Sequence, residues 1–396
     1  MLEKINHKSA PKEVVNALVT LYHQGKFDDV LSRSSQLIEE YPETFVLHNI
    51  IGAISFEKGH KEVAIKHFRK VIELRPHHPH AYNNLGATLM DIGEYEEAKS
   101  NLKKAIELQP DYAEAYNNLG NVYKEMEEYN QAISVYEKAI ELNPEYYEAY
   151  NNLGVVLGKN EQYEEAEKVL KQVIKLQPDF VEALNNLGSI LTCMEKYEES
   201  KAILSRSIEI YPSNAEALSN LGDVYRKLHE YEQAVDHYKR AIQIKPNYYE
   251  ALNSMGLALT ELKNYSKAKN ILKQAIKVNP KFAEAYNNLG NVYRKNQDFH
   301  KAISNYRKVL RIDKKLAGVH NNLGNVLSLV GDNKNSIYHQ KMAVSLDANS
   351  VAFLQSLLFY INYSTNMRTE EIFSFYKQFD QRFGLPYKGK WKAFAQ

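Results

Sequence analysis

The sequence has one cysteine, one tryptophan and almost no net charge. Cys193 alone cannot form a disulfide within the chain, which fits a reducing compartment, and we predict a cytoplasmic location. Fifty Lys and Arg stand against 49 Asp and Glu, so the net charge of +1 provides no strong field to attract nucleic acid or anionic lipid, and we expect neither partner. No apolar run resembles a signal peptide or reaches the length of a membrane span.

Motifs of catalysis and cofactor binding are also missing. The sequence contains no glycine-rich phosphate loop, no paired-histidine metalloprotease motif and no nucleophile elbow. His77, His78 and His80 are residues of a kind that binds zinc or nickel, but they fall between repeats, so we interpret them as exposed turn residues. Cys193 has no catalytic histidine motif around it. We therefore predict no catalytic residue, no metal site, no cofactor and no enzymatic activity.

Tyrosine is abundant, with 29 residues, and the chain is internally repetitive. At a shift of 34 residues, AYNNLGATLMDIGEYEEAKSNLKKAIELQPDYAE aligns with AYNNLGNVYKEMEEYNQAISVYEKAIELNPEYYE, in blocks that begin at Ala81 and Ala115. We trace ten blocks without insertion over residues 13–352, of which 13–80 and 319–352 are degenerate. Residues 1–12 are then an N-terminal lead, and residues 353–396 are a C-terminal helical cap or linker.

Each block predicts two amphipathic helices that pack as a hairpin, because apolar residues recur at helical spacing in two stretches. In the block from Ala115, Gly120 and Ala132 lack bulk where the helices would cross. Tyr129 precedes the second helix and can fill the wedge between turns. Pro144 ends the unit, because proline disfavours a helical conformation in the residue before it. Equivalent prolines are Pro42, Pro76, Pro110, Pro178, Pro212, Pro246 and Pro280, whereas Lys314 and Ala348 replace them in the last two blocks.

The spacing and identities of these residues resemble the tetratricopeptide-repeat family. The resemblance implies an all-α fold, a right-handed superhelical solenoid of stacked helix-turn-helix repeats. The first helices would line its concave side and the second helices its outer wall. One hairpin cannot bury its own apolar face, so each repeat is expected to depend on its neighbours.

Asparagines recur on the side of the first helices that would face the groove. A carboxamide both donates and accepts hydrogen bonds, so a spaced row of them can hold an extended chain by its backbone. Alternatively, the asparagines tie neighbouring helices together and serve the fold. The fourth position of the blocks holds Asn84, Asn118, Asn152, Asn186, Asn220, Asn288 and Asn322, Asn117 occupies a third position, and Asn121 and Asn291 lie one turn further on. Among the more variable groove positions, Lys124, Arg226 and Arg294 are basic and would tune partner choice.

The C-terminal segment carries a second resemblance. SLLFYINYS and EEIFSFYKQF follow the AYNNLG repeats, a combination that resembles bacterial and archaeal members of the O-linked N-acetylglucosamine transferase (SPINDLY-type) family. In that family, the repeats precede a two-lobed glycosyltransferase that uses a nucleotide sugar, and the asparagine ladder holds the backbone of protein substrates. The sequence stops at Gln396, before such a fold could begin, so only the ladder asparagines transfer and no catalytic residue does.

We therefore predict a non-catalytic scaffold that binds other proteins or peptides in extended conformation along an asparagine-lined groove. The alternative is the substrate-recognition arm of an O-linked N-acetylglucosamine transferase-like enzyme that works with a separate glycosyltransferase subunit. A third class, adaptors that grip C-terminal carboxylates, needs a lysine-rich clamp, whereas asparagine fills most third positions here.

Overall fold

The computed structural model describes residues 9–362 and 368–385, and every regular element in these ranges is helical. The first helices of successive hairpins are α1 (Lys12–His23), α3 (Phe45–Glu57), α5 (Pro79–Asp91), α7 (Ala113–Glu125), α9 (Tyr147–Lys159), α11 (Val181–Cys193), α13 (Ala215–Lys227), α15 (Tyr249–Glu261), α17 (Ala283–Lys295), α19 (Ala317–Leu329) and α21 (Val351–Ile361). The second helices are α2 (Phe27–Glu40), α4 (Lys61–Leu74), α6 (Tyr95–Leu108), α8 (Tyr129–Leu142), α10 (Tyr163–Leu176), α12 (Tyr197–Ile210), α14 (Tyr231–Ile244), α16 (Tyr265–Val278), α18 (Phe299–Ile312), α20 (Asn333–Leu346) and α22 (Thr369–Phe379), and a π-helical turn, Asp380–Gly384, follows.

The helices form two compact units, residues 1–203 and 204–396, here called the first and the second unit. Within each unit, every helix packs mainly against its neighbours along the chain, and first helices also contact the first helix of the next hairpin. The predicted all-α solenoid of stacked hairpins is confirmed. None of the described helices is long and apolar enough to cross a lipid bilayer.

The first helices from α3 to α21 begin every 34 residues. Each begins two residues before its sequence block, so that α7 starts at Ala113 rather than at Ala115. The same spacing places the start of α21 at Val351, and this helix therefore spans the predicted boundary at residue 352. The sequence also predicts a polar turn around residues 364–368, between the two helices of the C-terminal segment, and this turn lies largely outside the described residues.

The two helices of a hairpin approach most closely where the first helix has glycine. A methyl group added at Gly120 would lie 2.5 Å from Cε1 of Tyr136 on α8. One added at Gly86 would lie 2.6 Å from Cγ of Leu102 on α6. Ala132 is fully buried. The predicted crossing point of small residues is confirmed, since only the absence of a side chain leaves room for the bulky partner.

The second helices begin and end at constant positions. Tyr129 is the first residue of α8, not the residue before it, and its ring is half-buried against the core of the first unit. The helices α18 and α20 end two residues before Lys314 and Ala348, just as the others end two residues before proline. Backbone N–H groups of Lys315 and Asn349 donate to the carboxylates of Asp313 and Asp347, at 2.8 and 3.1 Å. These local turns end a helix without proline.

Two hairpins contain a partly buried histidine pair. In the α3–α4 hairpin, Nδ1 of His48 lies 2.9 Å from Nδ1 of His67, and Nε2 of His48 lies 2.9 Å from the Pro42 carbonyl oxygen. Because a carbonyl only accepts, His48 carries its hydrogen on Nε2, and its Nδ1 accepts from His67. His320 and His339 repeat the 2.9 Å contact in the α19–α20 hairpin. Burial and the adjacent histidine lower the pKa of His67 and of His339 to about 4.

Stability is predicted to decrease as the pH falls from about 6.5 to about 4. The folded-state pKa values of His67 and His339 lie below the ordinary value, so the unfolded chain binds more protons than the folded chain in this interval. Urea unfolding across this pH range measures the effect. Replacing His67 and His339 with Asn, the residue found at the equivalent positions 101 and 305, should reduce the pH dependence, whereas the exposed His77→Asn should not. An unchanged slope in the double variant would contradict the prediction.

Two glycine substitutions should destabilise the chain for different reasons. Gly93 has φ +84° and no atom within 4 Å of an added Cβ, so Gly93→Ala adds only backbone strain, about 1 kcal/mol. Gly120→Ala forces the Tyr136 ring to move and should cost about 1–3 kcal/mol. Urea unfolding followed by circular dichroism compares the two. Leucine at this position approaches the glycine as closely as tyrosine does, as Leu102 shows at Gly86, so the relieving change must be smaller. In the Tyr136→Ala background, Gly120→Ala should cost less than in the parent chain, whereas the cost of Gly93→Ala should be unchanged. Equal effects on both would refute the packing explanation.

Candidate peptide-binding surface

Asparagines at the third and fourth block positions are hydrogen-bonded to each other across consecutive first helices. In the first unit, Nδ2 of Asn118 on α7 donates to Oδ1 of Asn83 on α5 at 2.9 Å. Each such bond joins residues 35 positions apart, so it fastens one hairpin to the next. The bond recurs from Asn152 to Asn117 at 3.0 Å and from Asn186 to Asn151 at 2.9 Å.

The second unit contains the same arrangement. Nδ2 of Asn288 donates to Oδ1 of Asn253 at 2.9 Å, and Nδ2 of Asn322 donates to Oδ1 of Asn287 at 3.5 Å. The amide of Asn253 also donates to Glu284 at 3.0 Å. The alternating donor and acceptor positions therefore form a repeated joint, which we call the asparagine ladder.

The fourth-position members of the ladder retain unused hydrogen-bonding capacity. Asn118, Asn152 and Asn186 are half-buried, and each uses one of its two amide N–H groups. Within the part of the chain that the structure describes, no group donates to their Oδ1 atoms. By contrast, Asn83 and Asn117 in the third position are buried. The joints of Asn118 and Asn152 thus combine a buried acceptor with a half-exposed carboxamide that has one N–H and one oxygen to spare.

The remaining predicted ladder residues differ in how much of the side chain is exposed to solvent. Asn84 and Asn220 are half-buried on α5 and α13. The Oδ1 atom of Asn84 accepts a long hydrogen bond, 3.5 Å, from Asn83. Asn288 is only 6% exposed, so it presents less of its carboxamide than its equivalents in the first unit do.

The asparagines one turn further on have a role that the sequence analysis missed. The hydroxyl of Tyr136 donates to Oδ1 of Asn121 at 2.8 Å, and that of Tyr306 donates to Oδ1 of Asn291 at 2.7 Å. Burial raises the pKa of Tyr136 above its usual range, so its hydroxyl remains a donor. The carbonyl oxygens of Asn121 and Asn291 therefore each accept one hydrogen bond within the hairpin, while their amide N–H groups take no part in it.

The sequence contains a signal for this bond, because the residue types at two positions 15 residues apart change together from repeat to repeat. Asp223 accepts from Tyr238 in the same way, at 2.7 Å, and Asn325 accepts from Gln340. Where the second helix has leucine instead of tyrosine, the partner position carries no carboxamide or carboxylate. The leucine pairs are Ala87 with Leu102, Val155 with Leu170, Ser189 with Leu204 and Leu257 with Leu272.

The three predicted basic groove residues are unequally neutralised. Nζ of Lys124 lies 3.6 Å from Glu125, and Arg226 donates to Asp223 at 3.2 Å. Among the described residues, no carboxylate lies within ion-pair distance of Arg294. Arg294 therefore offers the largest share of unpaired charge to a partner.

Two depressions accompany the ladder in the first unit. The larger, of about 460 Å³, is lined by Asn83, Asn84 and Asn118 together with the apolar side chains of Phe56 and Met90. The smaller, of about 260 Å³, lies beside Asn186 and includes the exposed Cys193. Carboxamides beside apolar recesses can bind both the backbone and the side chains of a peptide.

The histidine run is part of the helix start rather than an exposed turn throughout. His78 is the N-cap of α5, and its Nδ1 accepts from the N–H of Ala81 at 3.3 Å. His80 lies inside α5, with Nδ1 2.8 Å from the Tyr112 hydroxyl oxygen. Within residues 9–362 and 368–385, no cluster of three or more His, Cys, Asp or Glu side chains has a geometry that could hold a metal ion.

Three family models match the chain. Models described as tetratricopeptide repeat and TPR repeat match residues 283–316 and 256–297, which confirms the class of repeat. The model described as the cilia and flagella-associated protein 70 C-terminal domain, itself a tetratricopeptide-repeat model, matches residues 45–245, just over half of the chain. The chain belongs to this tetratricopeptide-repeat family. None of these matches concerns the O-linked N-acetylglucosamine transferase family.

Among the solved structures similar to part of the chain is the crystal structure of YrrB, described as a TPR protein with an unusual peptide-binding site. The two sequences are 31% identical, the match covers 47% of this chain and 95% of YrrB, and the TM-score is 0.39. No curated protein matches the chain significantly.

The joint between Asn118 and Asn83 should be measurable in a double-mutant cycle. Asn118→Ala leaves the buried Asn83 oxygen without its donor and should cost about 1–2 kcal/mol. The coupling energy between Asn83→Ala and Asn118→Ala in urea unfolding should be about 1 kcal/mol. The pair Asn83 and Asn152, which the structure does not bond to each other, is the matched control and should show coupling near zero. Equal coupling in both cycles would contradict a specific joint.

Proposed function

We propose that the chain is a non-catalytic protein-interaction scaffold that binds extended polypeptide segments along the asparagine ladder of its first helices. The observation that supports this proposal is the half-used carboxamide of Asn118, Asn152 and Asn186. The joint to the preceding hairpin fixes the orientation of each amide, so little side-chain freedom is lost when a partner binds. The spare oxygen and N–H match the N–H and C=O of a peptide group.

The two interpretations of the ladder, structural and binding, are compatible in this geometry. The third-position asparagine serves the fold, and the fourth-position asparagine serves both the fold and the partner. Because the main contacts would be made to the backbone, recognition would tolerate many sequences. Lys124, Arg226 and Arg294 would then bias the choice of partner. Arg294 contributes most, because no carboxylate of the described chain neutralises it, and an acidic partner residue at that point would be favoured.

The decisive experiment modifies the ligand rather than the protein. A peptide array with the purified chain selects a binding sequence, and that peptide is resynthesised with N-methyl groups on alternate residues. N-methylation removes backbone donors without changing side chains. Successive side chains of an extended segment alternate, so one register of methylation should weaken binding by about tenfold or more and the other by much less. Alanine substitution of individual peptide side chains should have smaller effects.

A protein variant provides the matched test. Asn118→Ala, Asn152→Ala and Asn186→Ala together should reduce affinity for the same peptide, whereas Asn101→Ala, Asn130→Ala and Asn160→Ala, which lie outside the ladder, should not. Helicity and melting are compared first, because the ladder also joins hairpins. If both N-methyl registers bind as well as the parent peptide, the ladder does not read the backbone, and the proposal fails whatever the stability of the variants.

A second function for the same surface is the substrate-recognition arm of a protein glycosyltransferase. It is motivated by the sequences SLLFYINYS and EEIFSFYKQF, which fall on and around α21 and α22. In the structure, Leu354, Leu357 and Ile361 of α21 pack against Ile337 and Val344 of α20, with aromatic residues of α22 alongside. This packing equally suits a cap on the last repeat. Adding the chain to a candidate glycosyltransferase subunit and measuring transfer to a ladder-binding peptide distinguishes the two, since a cap alone would not raise the rate.

A further inference from the structure

The near-neutral net charge hides a strongly basic segment. Residues 263–315 contain fourteen Lys and Arg residues and three acidic ones, Glu284, Asp298 and Asp313, a net charge of +11. The rest of the chain therefore carries −10. The total charge, from which the sequence analysis expected no strong field, does not reveal this segment.

Three second helices of the first unit carry an ion pair at a position where α18 has only basic residues. In α4, α6 and α8, a lysine forms an ion pair with a glutamate three residues later: Lys70 with Glu73, Lys104 with Glu107 and Lys138 with Glu141. The equivalent positions in α18 are Lys308 and Arg311, both basic and exposed. Within the described residues, neither of them nor Arg307 has a carboxylate at ion-pair distance.

These side chains border a depression whose lining is partly apolar. It has a volume of about 400 Å³ and lies between α18 and the α19–α20 turn. Ile303 and Leu327 are buried at its base, and Val330 is 37% exposed at its side. His300, Ser304, Arg307, Lys308 and Arg311 form the α18 side.

The rim holds a single carboxylate, which is already engaged. Asp332 caps α20 and accepts hydrogen bonds from the backbone N–H and the amide of Asn335, at 3.3 and 2.8 Å. Lys308 lies over the ring of Tyr286, with Nζ 5.4 Å from the ring centre, and this contact supports its long side chain. Arg307 interacts with Asp332 beyond ion-pair distance and helps to lower the pKa of that carboxyl, so Arg307 is neutralised only in part. Arg307 and Arg311 lie on one rigid helix face, because they are one turn apart.

We propose that this surface, the α18 depression, is a second binding site that takes an acidic protein segment with an aliphatic side chain between its carboxylates. Arg307 and Arg311 would pair with the carboxylates, and the aliphatic side chain would enter the recess over Ile303 and Leu327. The site lies on a second helix and does not include ladder residues, so it is independent of the function proposed for the ladder.

The apolar part of the lining, chiefly the exposed Val330, favours a peptide over a nucleic acid. Phosphodiester binding needs only the positive charge and gains nothing from a recess lined by Leu327 and Val330. An acidic peptide with leucine uses both the charge and the recess. A second copy of this chain could also supply acidic residues, and the test must separate that case from a foreign segment.

The test uses fluorescence anisotropy of the full chain with a labelled synthetic peptide in which a leucine is flanked on both sides by glutamates. The variant Arg307→Glu with Arg311→Glu should weaken binding by about tenfold or more at low salt. The matched control is Lys239→Glu with Lys175→Glu. These are exposed residues at the same two block positions on α14 and α10, and they change the net charge equally. The control should stay within about twofold of the parent chain, as should the triple ladder variant.

Two altered peptides test whether the carboxylates and the leucine side chain each contribute to binding. A peptide with glutamine for glutamate should lose most of its affinity, and one with serine for leucine should lose part of it. If the serine peptide and a labelled oligothymidylate bind as well as the leucine peptide, the surface is a general polyanion site and the proposal is overturned. It is also overturned if the leucine peptide fails to bind, or if the chain self-associates in sedimentation and Arg307→Glu with Arg311→Glu abolishes that association while peptide binding is absent.

Discussion

The hydrogen bond between asparagines 35 residues apart constrains how successive hairpins are placed against each other at five junctions of the described chain. A single hairpin exposes an apolar face on each side, and hydrophobic contact alone would let neighbouring hairpins slide. The Asn118–Asn83 bond and its repeats have one geometry, so they fix the register of each first helix against the next. The glycine contact of Gly120 with Tyr136 does the same within a hairpin. The apolar core supplies the free energy, and these polar and steric contacts select one arrangement.

Because these bonds also hold the asparagine side chains in place, they make the surface suitable for binding a partner. A side-chain amide that is held by a neighbour keeps its spare donor and acceptor in a constant direction. The spacing between such amides is set by the repeat and not by the rotamers of individual residues.

The second helices show the opposite arrangement, because their charged side chains pair with each other. Lysine and glutamate in α4, α6 and α8 neutralise each other, whereas α18 has two basic residues at the equivalent positions, beside the α18 depression.

Much of the fold was predictable because the period is directly visible in the sequence. Gly120, Ala132 and the recurring prolines locate the crossing points and the ends of the second helices. The start of each helix was less predictable. Tyr129 and Ala113 differ from the expected boundaries by one or two residues, since a half-buried aromatic can stand on either side of a helix start. The ends of α18 and α20 depend on aspartate turns, which a search for proline does not reveal.

The candidate sites were less predictable, because the residue type alone does not show which of its hydrogen-bonding atoms is already paired. Asn118 and Asn121 look alike in the sequence. The carbonyl oxygen of Asn121 accepts a hydrogen bond from Tyr136, whereas no described group donates to that of Asn118. That difference depends on a residue in another helix. The basic border of the α18 depression was missed because the acidic residues elsewhere balance it in the total.

The arrangement of the joint also affects how such a chain can lengthen by duplication of repeats. Every hairpin with both asparagines carries an acceptor for the hairpin that follows and a donor for the one that precedes. A duplicated copy of 34 residues would therefore arrive with both halves of its connections, and no compensating change would be needed at either junction. Insertion of one or two residues in a first helix would instead rotate donor away from acceptor. The geometry favours lengthening by whole repeats, which is consistent with the uninterrupted period from α3 to α21.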